Sequence, residues 1–307
     1  MQAFKFPASD GTQVHCYQWL PEQPPKAVIH ISHGMGEHAA RYDWVAGQLA
    51  SAGYMVYASD HRGHGLTTRV LGQFGPDGWN RTLLDLNKMI LSHRVEFPDR
   101  PVLLLGHSMG SMLSQQYIEL YGETLDGVIL SGSPGFNNPL LGWILGLITA
   151  VEAWRLGDDS ESSLLQKMLF GDSNKNFESA DVETTGFEWL SRDRAQVKAY
   201  MDDPLCGFVP FPASLKLVFA GAKWTQKKQA VAAIPKTLPI YLFSGSADPV
   251  HGELKNIDRL LSRYQAAGLK VDTRFYTGGR HEMFNEINRD EVMQEMLTWI
   301  EANISSK

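Results

Sequence analysis

Three short stretches of this 307-residue chain carry side chains that could together perform acyl transfer. In LLLGHSMGSM (103–112), Ser108 is flanked by Gly106 and Gly110. In SGSADP (244–249), Asp248 precedes a proline, and in TGGRHEMFNE (277–286), His281 sits in a polar run. A serine hydroxyl is a weak nucleophile until a base takes its proton. The base in turn needs a third group that orients it and stabilises its charged form. Serine, histidine and aspartate suit these three roles. A Gly-x-Ser-x-Gly pattern alone arises readily by chance, so its setting must decide.

Ser108 lies where the apolar run PVLLLGHS meets the helix-like MGSMLSQQYIELYG. A residue at such a strand-to-helix turn is strained, and flanking glycines relieve the crowding. The following helix N-terminus turns its free N–H groups toward the same place. Among the ten histidines, His281 follows the last strand-like segment, KVDTRFYTG. A loop at the carboxyl end of a parallel strand can reach the nucleophile. His15 and His30 fall inside strand-like runs and His93 on a helix, while His107, beside the serine, should point away from it. Asp248 ends LPIYLFSGSAD, and the next residue, Pro249, enforces an extended conformation. Asp272, within a strand, and Asp60, in the turn SDHRGHG, are weaker candidates. The order Ser108, Asp248, His281 is the one expected when the serine follows a strand in such a sheet. Two N–H donors should receive the developing oxyanion: that of Met109, and that of Met35 in SHGMGEH (32–38). The spacings of His33, His38, His61 and His64 fit no metal-ligand motif, so no metal is expected.

The elements that must position these residues alternate. AFKF and QVHCYQWL flank a Ser-Asp-Gly turn and predict a hairpin. AVIHISHG, YMVYASD, PVLLLGHS and LDGVILSGS are apolar runs suited to strands buried on both faces. RYDWVAGQLASAG, NRTLLDLNKMILSHRVEF and MGSMLSQQYIELYG between them have helical spacing. That alternation predicts an α/β fold with a mostly parallel sheet and helices on both faces. It breaks from about 137 to 236, where helix-like segments rich in Trp, Leu and Met replace it. It then resumes with LPIYLFSGSADP, GELKNIDRLLSRYQAAG, KVDTRFYTG and RDEVMQEMLTWIEANI. The expected organisation is a core in two parts, 1–136 and 237–307, interrupted by a helical cap over 137–236.

Composition narrows the classes. At 43% hydrophobic and 20% charged the chain can bury a substantial core, and a net charge of −6 argues against a nucleic-acid partner. The two cysteines, Cys16 and Cys206, make neither a disulfide framework nor a C-x-x-C pair. The start MQAFKFPASDG has no basic region followed by an apolar one, which predicts a cytoplasmic protein. PLLGWILGLITAV (139–151) is too short to span a bilayer. Its near-uniform apolarity suits burial, or the lining of an acyl tunnel, better than a place in an interface.

HGMGEHAARY, SDHRGHG, GHSMGS, GSADPVH and GGRHEMFNE, in this order, resemble the monoacylglycerol lipase and lysophospholipase-like branch of the α/β-hydrolase superfamily. SRDRAQVKAYMDDPL (191–205) is similar to that branch's cap. The resemblance implies an α/β-hydrolase fold and a serine esterase that works without cofactors on a small-molecule acyl ester or lipid. It also implies Ser108, Asp248 and His281 as triad, with Met35 and Met109 as oxyanion donors. Such an enzyme takes its substrate from a membrane or micelle, so transient surface contact through the cap is a further expectation. Two features depart from the branch. Leu66-Thr67 follow Gly65 where a serine is common, and EAWRLGDDSESSLLQKMLFGDSNKNF (152–177) has no counterpart. Fold does not fix substrate, so a small-ester carboxylesterase or a peptidase stays open. Serine at 108 excludes an aspartate-nucleophile dehalogenase. A non-catalytic ligand-binding relative would tend to have lost a triad member, and all three are present.

Overall fold

The computed structural model describes every residue except 137–138, 158–159, 172, 178–183, 253 and 305–307. The chain opens with β1 (Gln2–Pro7) and β2 (Gln13–Trp19), the expected hairpin, followed by β3 (Val28–Ser32), α1 (Asp43–Ser51) and β4 (Met55–Ser59). Next come α2 (Gly78–Glu96), β5 (Val102–His107), α3 (Met109–Tyr121) and β6 (Gly127–Ser131). Among the described residues five helices follow before the next strand: α4 (Pro139–Leu156), α5 (Ser163–Phe170), α6 (Arg194–Asp202), α7 (Pro212–Thr225) and α8 (Lys228–Ala233). The core resumes with β7 (Ile240–Gly245), α9 (Lys255–Ala266), β8 (Val271–Tyr276) and α10 (Arg289–Asn303).

The eight strands form one sheet in the order β1-β2-β4-β3-β5-β6-β7-β8. β1 and β2 enter it antiparallel, and every pair from β4 to β8 is parallel. The alternating side chains of the central strands feed two cores. Val102 and Leu104 of β5 join Leu86 and Ile90 of α2, Leu113 and Tyr117 of α3, and Leu260 of α9. Leu103 and Leu105 point the other way, to Val45 and Leu49 of α1 and Met296 and Ile300 of α10. Burial on both faces is why these strands read as unbroken apolar runs. β3 connects to β4 on one side and has β5 on the other, so the order reverses between β3 and β5. Crevices open at the carboxyl ends of strands at such a switch point. The loop after β3 and Ser108 after β5 flank this one.

α4 departs from the expected burial. Leu145 faces the cavity described below, yet Trp143, Leu147 and Val151 are exposed at helical spacing, and Trp154 is 86% exposed. The helix serves both surfaces because its apolar residues encircle it. α7 and α8, inside the expected cap, contribute Val218 and Val231 to the same core as α3.

Candidate active site

Ser108 is the residue at which β5 becomes α3, with φ 52° and ψ −114°. Positive φ is costly for a residue with a Cβ and persists only where its surroundings impose it. Here the imposing contact is close packing of the turn against β3. A Cβ on Gly110 would lie 2.0 Å from the Ser32 carbonyl oxygen, and one on Gly106 would lie 2.3 Å from Ser114 Oγ. Both glycines of the motif are therefore sterically required. The Ser108 N–H donates to the Ser131 carbonyl at 3.0 Å, which ties the turn to β6.

Asp248 follows β7 and caps a one-turn 3₁₀ helix, Pro249–His251. It is fully buried, and its Oδ2 lies 2.8 Å from His281 Nδ1 and accepts from Ser244 Oγ at 3.1 Å. Its Oδ1 accepts the Val250 N–H at 2.9 Å. Burial would raise this carboxyl, but the facing imidazole outweighs it and holds Asp248 below its ordinary value. Burial would lower His281, and the Asp248 carboxylate overrides it in the opposite direction, so His281 is raised. The pair thus favours the protonated imidazole, the form a base must pass through. His281, Ser108, Met35 and Met109 line one cavity of about 760 Å³. Met35, Met112, Leu145, Leu215, Val218 and Phe219 give it an apolar wall.

The other candidates fall elsewhere. Asp60 is buried and accepts the N–H groups of Ala39 and Leu66, both at 2.8 Å, so it holds a turn. Asp272 accepts from the Trp299 indole at 2.9 Å. In the departing turn, the Thr67 hydroxyl donates to the Asp60 carbonyl and accepts the His15 N–H, both at 2.8 Å. His33, His61 and His64 cluster, and burial pushes His33 and His64 down to about 3, so their rings are neutral. His33 Nε2 accepts the His61 N–H at 2.9 Å, which leaves Nδ1–H to donate to the Gly34 carbonyl at 2.7 Å. His38 lies apart from them and pairs through Nε2 with Asp203 Oδ2 at 2.8 Å. Cys206 offers its sulfur within 4.8 Å of both. His107 does not point away. Its ring packs 4.8 Å from that of His281, and burial takes it down to about 4, so a neutral ring backs the candidate base.

Sequence reasoning passed over Glu37, Arg41 and Glu282. Arg41 binds Glu282 through two bonds of 2.8 Å and Glu37 through one of 2.6 Å. Burial raises Glu282, and Arg41 reverses this, bringing it to about 2. Arg41 sits at i+4 from Glu37, and Glu282 is next to His281; the first spacing was a visible signal.

The sequence profile of the serine aminopeptidase S33 hydrolases matches residues 23–288. The chain is 28% identical to the monoacylglycerol lipase of Mycolicibacterium smegmatis, across 97% of this chain and 96% of that one. It is 28% identical to the monoglyceride lipase of Mus musculus, across 97% and 90%. A thermostable carboxyl esterase from Bacillus coagulans, solved in complex with glycerol, superposes with a TM-score of 0.89 at 26% identity, covering 98% of each chain. With the profile spanning most of its length and the whole sheet superposing on that of such an enzyme, the chain belongs to the serine aminopeptidase S33 family of α/β-fold hydrolases.

Proposed function

We propose that this protein is a serine hydrolase that cleaves carboxylic esters of lipids, monoacylglycerols or lysophospholipids, through an acyl-enzyme on Ser108. The observation that carries the reading is a shared cavity. The strained Ser108 and His281, which is backed by buried Asp248, open into the same apolar-walled space of about 760 Å³, within the range of ligand sites. Ser108 Oγ attacks the ester carbonyl carbon as its proton passes to His281 Nε2. The carbonyl oxygen becomes an oxyanion held by the N–H groups of Met35 and Met109. Among the described residues no acceptor takes either N–H, in keeping with that role. The carbon–oxygen bond to the alcohol then breaks, and His281 returns its proton to the departing oxygen. Water attacks the acyl-enzyme by the same route, with His281 again the base, and the acid leaves. No step needs a cofactor.

Two features favour an ester over a peptide substrate. The curated relatives above are lipases, and the two carboxylates that line the cavity, Glu37 and Glu282, are engaged by Arg41 rather than free for a substrate amine. The likeness to a carboxyl esterase favours a second reading, a general esterase for short acyl chains. Residues 137–236 act as the cap in either case. A fluorophosphonate should label the wild type and not Ser108→Ala; equal labelling would refute the nucleophile. A panel of p-nitrophenyl esters, monoacylglycerols and lysophosphatidylcholines then separates the readings, with kcat/KM rising with chain length for a lipid esterase. Preference for acetate esters selects the second reading.

The exposed stripe Trp143, Leu147, Val151 and Trp154 suits contact with a lipid surface, where indole rings lodge between headgroup and acyl chain. Liposome sedimentation should show Trp143→Ser binding more weakly than wild type. Equal binding would remove this role. No helix among the described residues is long and apolar enough to cross a membrane.

A further inference from the structure

In the wall of the cavity lies a buried charge cluster that the acyl-transfer steps do not use. Glu37 Oε1 accepts the Gly34 N–H at 2.6 Å and the Tyr42 hydroxyl at 3.0 Å, while Oε2 accepts from Arg41 at 2.6 Å. Arg41 directs two further donors to Glu282, beside the proposed base. The side chains of Glu37, Arg41 and Glu282 are 4%, 11% and 8% exposed, so water offers none of them a ready alternative partner. Two carboxylates share one guanidinium, and such charges stay buried only when geometry and hydrogen bonds are nearly complete.

The cluster grips one segment, the loop that carries Met35. Glu37 fixes the peptide N–H just before it, at Gly34. The carbonyl just after it, at Gly36, is held by the Tyr200 hydroxyl at 2.9 Å and the Gly207 N–H at 3.0 Å. The Arg41 guanidinium stacks 4.7 Å from the Tyr200 ring centre, so the two grips touch. The Met35 N–H between them has its direction set by its neighbours, and the same arginine ties this loop to the loop of His281.

We infer that Glu37, held in place by Arg41 and Glu282, is a positioning residue that aims the Met35 N–H at the oxyanion; this rests on the reading of Ser108 as nucleophile. An oxyanion donor acts in the transition state and little in the bound substrate, so misaiming it lowers kcat and leaves KM nearly unchanged. Glu37→Gln keeps the shape but turns an amide toward either Gly34 or Arg41. Arg41→Lys keeps the charge and loses the fork that joins the two carboxylates.

The test measures kcat, KM and two inhibition constants in both variants. One inhibitor is a trifluoromethyl ketone, which forms a tetrahedral adduct on the serine; the other is the product fatty acid. We expect kcat to fall by about 10- to 100-fold, less than the loss on removing such a donor outright. KM should stay within about twofold, the ketone should weaken in parallel with kcat/KM, and the fatty acid should bind as before. A cluster that merely supports the fold would weaken both inhibitors together, which would overturn the inference. So would unchanged kcat in a folded Glu37→Gln. Should Glu37→Gln fail to fold, Arg41→Lys carries the same measurements. Ser108→Ala, run alongside, separates the two levels: full turnover there refutes the nucleophile itself.

Discussion

At the scale of single residues, the site depends on ionisation states that burial would forbid without a partner. Asp248 stays charged because His281 faces it at 2.8 Å, and His281 is raised by the same contact. The acid limb of kcat/KM reports the free enzyme's base, which must lose its proton to act. Asp248→Asn should move that limb to lower pH and cut kcat by about 10⁴-fold, a loss of the size known for this substitution in other triads. A limb that stays in place would mean that Asp248 does not set the base. Glu119 shows the opposite case. It is buried in α3, neither of its carboxylate oxygens has a hydrogen-bond partner, and burial raises it to about 9. The folded state therefore keeps a proton that the unfolded chain releases near its ordinary value of 4.5. Between those values stability falls as pH rises, by at most about 1.4 kcal/mol per unit. Glu119→Gln should then be more stable than wild type, with a gap that widens from pH 5 to pH 9 in urea denaturation. A constant gap would mean that the carboxyl does not titrate in the fold.

At the scale of elements, the turn from β5 to α3 is held by packing as much as by its sequence motif. The contact that a methyl group at Gly110 would meet is backbone, the Ser32 carbonyl, which cannot swing aside as a side chain would. Gly110→Ala should push α3 away from β3, costing about 1–3 kcal/mol as overpacking does. The displaced Ser108 should make fluorophosphonate labelling slower even at temperatures where circular dichroism shows the variant folded. Normal labelling in a stable Gly110→Ala would show that the elbow tolerates the methyl group.

At the scale of the whole molecule, the helical segment between β6 and β7 is tied to the loop of His281 after β8. Buried Glu286 accepts the backbone N–H of Arg192 at 3.2 Å and that of Arg280 at 2.9 Å, and pairs with the Arg192 side chain at 2.8 Å. The Arg280 side chain donates to the carbonyls of Glu188 at 2.6 Å and Ser191 at 3.1 Å. Removing one partner of a buried pair leaves an uncompensated group and costs about 3–5 kcal/mol. Arg192 is partly exposed, so Glu286→Ala should fall at or below the lower end of that range, read as a lower urea midpoint, and should reduce kcat through the His281 loop. A midpoint within error of wild type would show that this junction adds no stability.

Much of the fold and of the candidate triad is legible in the amino-acid sequence by itself, because the signals are local. Strands buried on both faces appear as unbroken apolar runs, and the elbow appears as glycines around Ser108 between one such run and a segment of helical spacing. The chain order of Ser108, Asp248 and His281 follows from where strands end. What only the tertiary structure decided depends on residues far apart in the chain. The bond between Asp248 and His281 spans 33 positions, and the one between Arg41 and Glu282 spans 241. The packing of His107 against His281, and the exposure of one side of α4 while Leu145 faces the cavity, likewise depend on neighbours that no local pattern encodes. Periodicity tells which residues leave water. It does not tell which distant charge each will meet, because that meeting is fixed only when the sheet brings the two loops together.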